Sequence, residues 1–121
     1  MSSIRIRERS YRFALQIVRF CRGLRAEREY DLARQLLKAG TSIGANVEEA
    51  SAAQSRADFL SKMAIASKEA RESRYWLRLI TDSSLAPQEK TSPLLSEVEA
   101  LVNILTAIVK TTAKDKIGPV E

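Results

Sequence analysis

The chain has 121 residues, 45% hydrophobic, 6% aromatic and 29% charged, with a formal net charge of +5. That length suits one domain with a real core, and the apolar content argues against a disordered chain. With no histidine and a single cysteine, it excludes Ser-His-Asp and Cys-His catalysis, histidine-containing zinc or di-iron sites, ribonucleases built on a paired arginine and histidine, and an internal disulfide.

Gly and Pro number only four and three, and Ala, Leu, Arg, Glu and Lys dominate, so helices are expected throughout. The first is expected over residues 7–24. Phe13, Ile17, Phe20 and Leu24 repeat at 4-3-4 spacing, and Tyr11, Ala14, Val18 and Cys21 widen the stripe. Gly23 and the charged stretch 25–28 are read as its end. Cys21 reads as a small buried apolar residue of a protein in a reducing compartment.

This helix and the segment before it hold the basic character. Residues 1–28 carry eight arginines against two glutamates, whereas the remainder is nearly neutral. Arg5, Arg9, Arg12 and Arg19, with Gln16 among them, form one guanidinium stripe if the helix reaches back to Arg5, and Arg22 adds a fifth cation. Such a row can track phosphates, because each arginine offers a planar donor fork and a permanent charge. The plainer alternative is a solvated helix back whose arginines meet acids on a neighbouring subunit, or none. No interleaved aromatics support base stacking, so binding would be to backbone charge rather than to sequence.

The second helix is expected over residues 29–54. Leu32, Leu36, Ala39, Ile43, Asn46 and Ala50 share one arc, and Ala33, Gly40, Gly44 and Val47 form a row of small residues beside it. Two glycines inside a helix cost roughly 1 kcal/mol each relative to alanine. Close approach of another helix, within the bundle or between subunits, is the usual compensation. The segment 40–44 is no phosphate loop, since it lacks the Gly-Lys-Ser/Thr ending and a preceding strand. Asn46 reads as a core amide that fixes register or satisfies an irregular backbone near Gly44.

Ser55 with Asp58 three residues on looks like a variant capping box, opening a third helix over residues 56–81. Phe59, Met63, Ala66, Ala70, Ser73, Leu77 and Ile80 hold heptad register. Glu69 and Glu72 here, with Glu48 and Glu49 on the second helix, are carboxylates of the kind that hold divalent cations, but no known ligand spacing is matched, and pairing of Glu69 and Glu72 with Lys68, Arg71 and neighbouring polar groups is expected instead. Trp76 lies one residue off the stripe, so it should cover one end of the core or pack at a subunit contact.

After a loop over residues 82–87, the fourth helix is expected over 93–114, with Ser92 as N-cap and Pro93 in the first turn. Leu94, Val98, Leu101, Leu105, Ile108 and Thr112 carry its stripe, and 115–121 reads as a frayed tail. Short connections between long helices predict a single-domain, all-α, antiparallel up-down-up-down four-helix bundle over residues 1–121. No apolar stretch of signal-peptide or membrane length is read, which places the chain in the cytoplasm.

Two stretches carry a family resemblance. One is Gln35-Leu36-Leu37-Lys38-Ala39 followed by Ser42-Ile43-Gly44-Ala45-Asn46-Val47-Glu48-Glu49-Ala50; the other is Phe59 followed by the run from Lys62 to Leu77. They resemble a bacterial family of four-helix-bundle proteins first noticed as reading frames inside intervening sequences of 23S ribosomal RNA genes. The likeness covers residues 11–112, with one departure at Ala50, where many members end the motif with Glu-Gly. The resemblance implies an antiparallel bundle assembled into a ring-like homo-oligomer, often a pentamer, with no established enzymatic activity. Some members carry a ribosomal-protein label, and the accessory proteins of diversity-generating retroelements are distantly similar basic pentamers that engage nucleic acid.

The expectation is a non-enzymatic homo-oligomer that binds RNA or a ribonucleoprotein through the first-helix arginines, with no cofactor, metal, membrane or small-molecule substrate. The rival expectation is a protein-protein adaptor that binds no nucleic acid.

Overall fold

The computed structural model describes residues 3–117, which form four helices: α1 (Ser3–Ala26), α2 (Tyr30–Ser51), α3 (Arg56–Asp82) and α4 (Gln88–Ile117). No strand occurs among the described residues. Each helix turns one apolar stripe inward: Phe13, Ile17 and Leu24 from α1, Leu36, Ile43 and Val47 from α2, Met63, Leu77 and Ile80 from α3, and Val98, Leu101 and Leu105 from α4, all 0–3% exposed. Burying each large side chain contributes roughly 1.5–3 kcal/mol. The helices pack in chain order, α1 on α2, α2 on α3 and α3 on α4. α1 closes back on α4 along the thinnest seam, and the diagonal pairs are the most widely separated. This is an up-down-up-down four-helix bundle.

The turns decide where the helices end. α1 runs past Gly23 because that residue is ordinary helix; the stop comes at Arg28, whose φ of 65° is left-handed. The Glu29 N–H then donates to the Leu24 carbonyl (2.9 Å) and Arg28 N–H to Arg25 (2.9 Å), a Schellman closure. Ser84, with φ 60°, closes α3 the same way, Leu85 N–H donating to the Ile80 carbonyl at 3.1 Å. α2 stops at Ser51, short of residue 54, because the N–H groups of Ala52 and Ala53 turn back to Glu49 and Ala50. Ser55 caps α3, its Oγ accepting from the Asp58 N–H at 3.1 Å.

The start at Pro93 with Ser92 as N-cap is corrected. α4 opens at Gln88, where the Pro87 carbonyl accepts from Lys90 and Thr91, and Pro93 lies inside the helix. Pro93 is the sixth residue of α4, past the first turn, so the ladder lacks the one bond that an N–H there would donate to the Glu89 carbonyl. The expected frayed tail is also shortened, since helix continues to Ile117; residues 118–121 lie outside those described. The reading that no segment has membrane length is corrected too. Gln88–Lys114 is long and apolar enough to cross a membrane, with mean hydropathy 1.4 over its most apolar window. In the bundle one face of that helix buries Leu94, Val98, Leu101, Val102 and Leu105 against its neighbours, while only 28% of the apolar window is buried.

Gly40 and Gly44 let α2 approach α1. A Cβ on Gly40 would sit 2.9 Å from Ile17 Cγ2, and one on Gly44 would sit 3.4 Å from the Ser10 carbonyl oxygen. Ser10, Ser73 and Thr91 are fully buried, but each hydroxyl donates to a carbonyl on its own helix, so none opens a polar path into the core.

Candidate functional site

Because α1 begins at Ser3, Arg5 belongs to the same helix as Arg9, Arg12, Arg19 and Arg22. At ~1.5 Å per residue the row from Arg5 to Arg22 spans roughly 25 Å. Arg5, Arg12 and Arg19 recur at heptad spacing and share one line on the surface.

The five arginines do not behave alike. Arg9 leans onto α4, where Nε donates to Glu97 Oε2 at 2.8 Å and Nη2 to Oε1 at 3.2 Å. That hydrogen bond, ahead of the opposing effect of burial, raises its already high pKa. Its fork is therefore occupied. Arg5, Arg12, Arg19 and Arg22 are exposed and form no ion pair with any described residue. Arg7, outside the row, bonds Glu48 on α2 through Nη2 at 3.2 Å and leaves a buried Nε without a partner. α1 is thus pinned by one ion pair on each flank, while four cations point outward between them.

Beside those cations lies an apolar stripe that periodicity alone assigned to the core. Tyr11 and Val18, read as widening the buried stripe, are 61% and 36% exposed, and Leu15 joins them at 37%. They repeat at i, i+4 and i+7 on the outward side of α1. α3 carries a second outward stripe, Ile65, Tyr75 and Leu79, at 37–56% exposure. α1 and α3 stand at opposite corners of the bundle, so the two stripes face opposite ways.

The remaining candidates settle into local roles. Asn46 is half-buried at the edge of its arc rather than in the core, and its Nδ2 donates to the Ser42 carbonyl at 2.9 Å within regular helix. Among the described residues Glu69 and Glu72 form no ion pair with Lys68 or Arg71, but Glu72 does meet a neighbouring polar group as expected. Glu72 accepts from Trp76 Nε1 at 3.2 Å, Arg71 donates to Ser67 Oγ at 2.8 Å, and the Glu69 carbonyl accepts from Ser73. Trp76 is half-buried, with the Tyr75 ring edge-on at 5.1 Å. No group of three or more acids or cysteines among the described residues is placed to hold a metal ion. Cys21 is buried, and burial pushes its thiol up to about 11, opposed by the nearby Arg25 charge.

Residues 2–107 match the model of a family described as 23S rRNA-intervening sequence protein. Among solved structures, a protein of unknown function from the S23 ribosomal protein family of Bacteroides thetaiotaomicron is 37% identical to this chain. It superposes with a TM-score of 0.86 over 91% of this chain and 99% of its own. No curated protein matches.

Proposed function

The chain belongs to the 23S rRNA-intervening sequence protein family, and on that premise we propose that it is a non-enzymatic homo-oligomer that binds RNA or a ribonucleoprotein through α1. The observation that carries this reading is the row of exposed arginines, Arg5, Arg12, Arg19 and Arg22, left without an ion pair among the described residues. Guanidinium groups in line along a helix suit successive phosphates, and such contacts gain strength by releasing counterions.

Assembly is supported by the two outward apolar stripes. The Tyr11–Leu15–Val18 stripe of one copy can meet the Ile65–Tyr75–Leu79 stripe of the next. A head-to-tail contact of that kind makes a ring when its rotation closes, and the resemblance to pentameric relatives favours closure. Each added copy repeats the arginine row, so contacts that are weak singly gain avidity. The lack of histidine supports a non-enzymatic role, and the S23 ribosomal protein label of the structural relative supports action in the cytoplasm.

One observation favours the rival adaptor reading. Arg9 shows that a guanidinium of this row can be consumed by a carboxylate; if acids of a partner protein take the others in the same way, nucleic acid is not involved. Titration of the purified protein with structured RNA at two salt concentrations, alongside an Arg12, Arg19 and Arg22 to Ala variant, separates the two.

A further inference from the structure

A cavity of about 690 Å³ opens at the end of the bundle where α1 and α3 begin and α4 nears its end. It lies on the α1–α4 side, where the helices are most loosely joined. Ile6, Phe59, Met63, Ile104 and Ile108 make its walls, and Arg5 stands at its rim. The volume falls within the ~300–1,000 Å³ of small-molecule sites, which are likewise mostly apolar with a few polar groups that fix orientation.

The charge of the lining is one-sided. Among the described residues, two arginines and no acid contribute to it. Arg9 is held by Glu97, whereas Arg5 is exposed and unengaged among the described residues. Thr111 and Thr112 add hydroxyls on the α4 wall. An apolar chamber whose mouth carries a cation unpaired among the described residues is complementary to a molecule with an apolar body and one anionic end. A cationic or neutral lipid would leave Arg5 without a counter-charge.

We propose that this cavity binds an amphipathic carboxylate of the fatty-acid type. Its alkyl chain lies on Ile6, Phe59, Met63, Ile104 and Ile108, and its carboxylate accepts from Arg5. The cavity shares Arg5 with the proposed RNA surface but not Arg12, Arg19 or Arg22, which do not line it, so an Arg12, Arg19 and Arg22 to Ala variant should lose RNA and keep dodecanoate.

The test uses dodecanoate, kept below its micelle concentration, with dodecanol and dodecylamine as charge controls, read by calorimetry and by methyl NMR. The chain has two methionines, so the Met63 methyl, in the cavity wall, is distinguished from that of Met1. The expected result is saturable binding of one dodecanoate per chain with a shift of the Met63 methyl. Arg5→Gln should weaken dodecanoate about tenfold, the loss expected for one charge-assisted contact at an exposed rim, and leave dodecanol unchanged. Ala107→Trp should block entry; Ala107 is exposed while lining the cavity, so this variant spares the core, and its melting curve verifies folding. Absence of saturable binding, an unmoved Met63 methyl, or equal affinity for dodecanoate and dodecylamine would overturn the proposal. An unmoved methyl is also the result expected if the chain's own ends or a second copy fill the cavity.

Discussion

Arg9 and Glu97 form the two-pronged ion pair that ties α1 to α4, with contacts of 2.8 and 3.2 Å across the least-packed seam of the bundle. Their side chains are 35% and 27% exposed, so solvent screens part of the attraction. Truncating either residue to alanine should cost about 1 kcal/mol, seen as a melting point lower by roughly 4 °C. The Arg9 variant should also lose less RNA affinity than Arg12→Ala, because its fork is already engaged.

The glycines of this chain should respond to alanine in three different ways. At Gly40 the new methyl meets Ile17 Cγ2 at 2.9 Å and Cγ1 at 3.0 Å; Ile17 is fully buried and stiff at its branch. Overpacking costs about 1–3 kcal/mol, which outweighs the helix-propensity gain of about 1 kcal/mol. Gly40→Ala should therefore destabilise, Gly44→Ala should be near neutral, and Gly23→Ala, with nothing within 4 Å, should stabilise by up to about 1 kcal/mol. Urea denaturation of the three variants gives the order directly.

Ser55 caps the N-terminus of α3 through the 3.1 Å bond from the Asp58 N–H. Ser55→Ala should cost about 1 kcal/mol. The Asp58 carboxylate, bonded by Lys62 at 3.1 Å, is held below its ordinary pKa chiefly by that bond. A lowered folded pKa means stability that is present above the unfolded value and lost as pH falls through the folded one. Lys62→Met should move the Asp58 midpoint, followed by carboxyl NMR, upward.

Cys21 makes the opposite prediction at alkaline pH. Its folded pKa is raised from 9.0 to about 11, so the fold favours the neutral thiol. That contribution is complete below the unfolded pKa and is lost as pH rises through the interval up to about 11. Between those limits Cys21→Ala should lose less stability than the parent protein. A thiol reagent at pH 8 should label Cys21 only as fast as the bundle opens.

If the outward stripes join subunits, Leu15→Glu and Leu79→Glu, both at positions more than a third exposed, should each dissociate the assembly while leaving the helical signal and melting transition of the subunit intact. Sedimentation velocity reads the first effect and circular dichroism the second. An unchanged sedimentation coefficient in both variants would remove these stripes from the interface.

The architecture was legible because each helix carries a long stripe at helical spacing, and the small row at Ala33, Gly40 and Gly44 announced a close neighbour. What stayed hidden has physical causes. Tyr11 and Val18 border the core stripe of α1, and periodicity does not tell the edge of a wide stripe from a second one behind it. Leu15, with Tyr11 and Val18 at 4-3 spacing, was the available signal. The start of α4 was displaced because Pro93 suits a first turn in general, while the Pro87 carbonyl already performs that task here. The Arg9–Glu97 bond joins positions 88 residues apart, and the cavity arises from how helix ends diverge; neither leaves a local pattern.

RNA binding through α1 is tested most directly by the affinity of the purified protein for structured RNA as a function of salt, with and without Arg12, Arg19 and Arg22. The account predicts binding that weakens steeply with salt, and a variant whose salt slope falls by roughly two to three, about one per arginine removed. Absence of RNA binding by the folded protein at low salt, or binding that survives loss of all three arginines, would contradict it and assign the α1 surface to a protein partner.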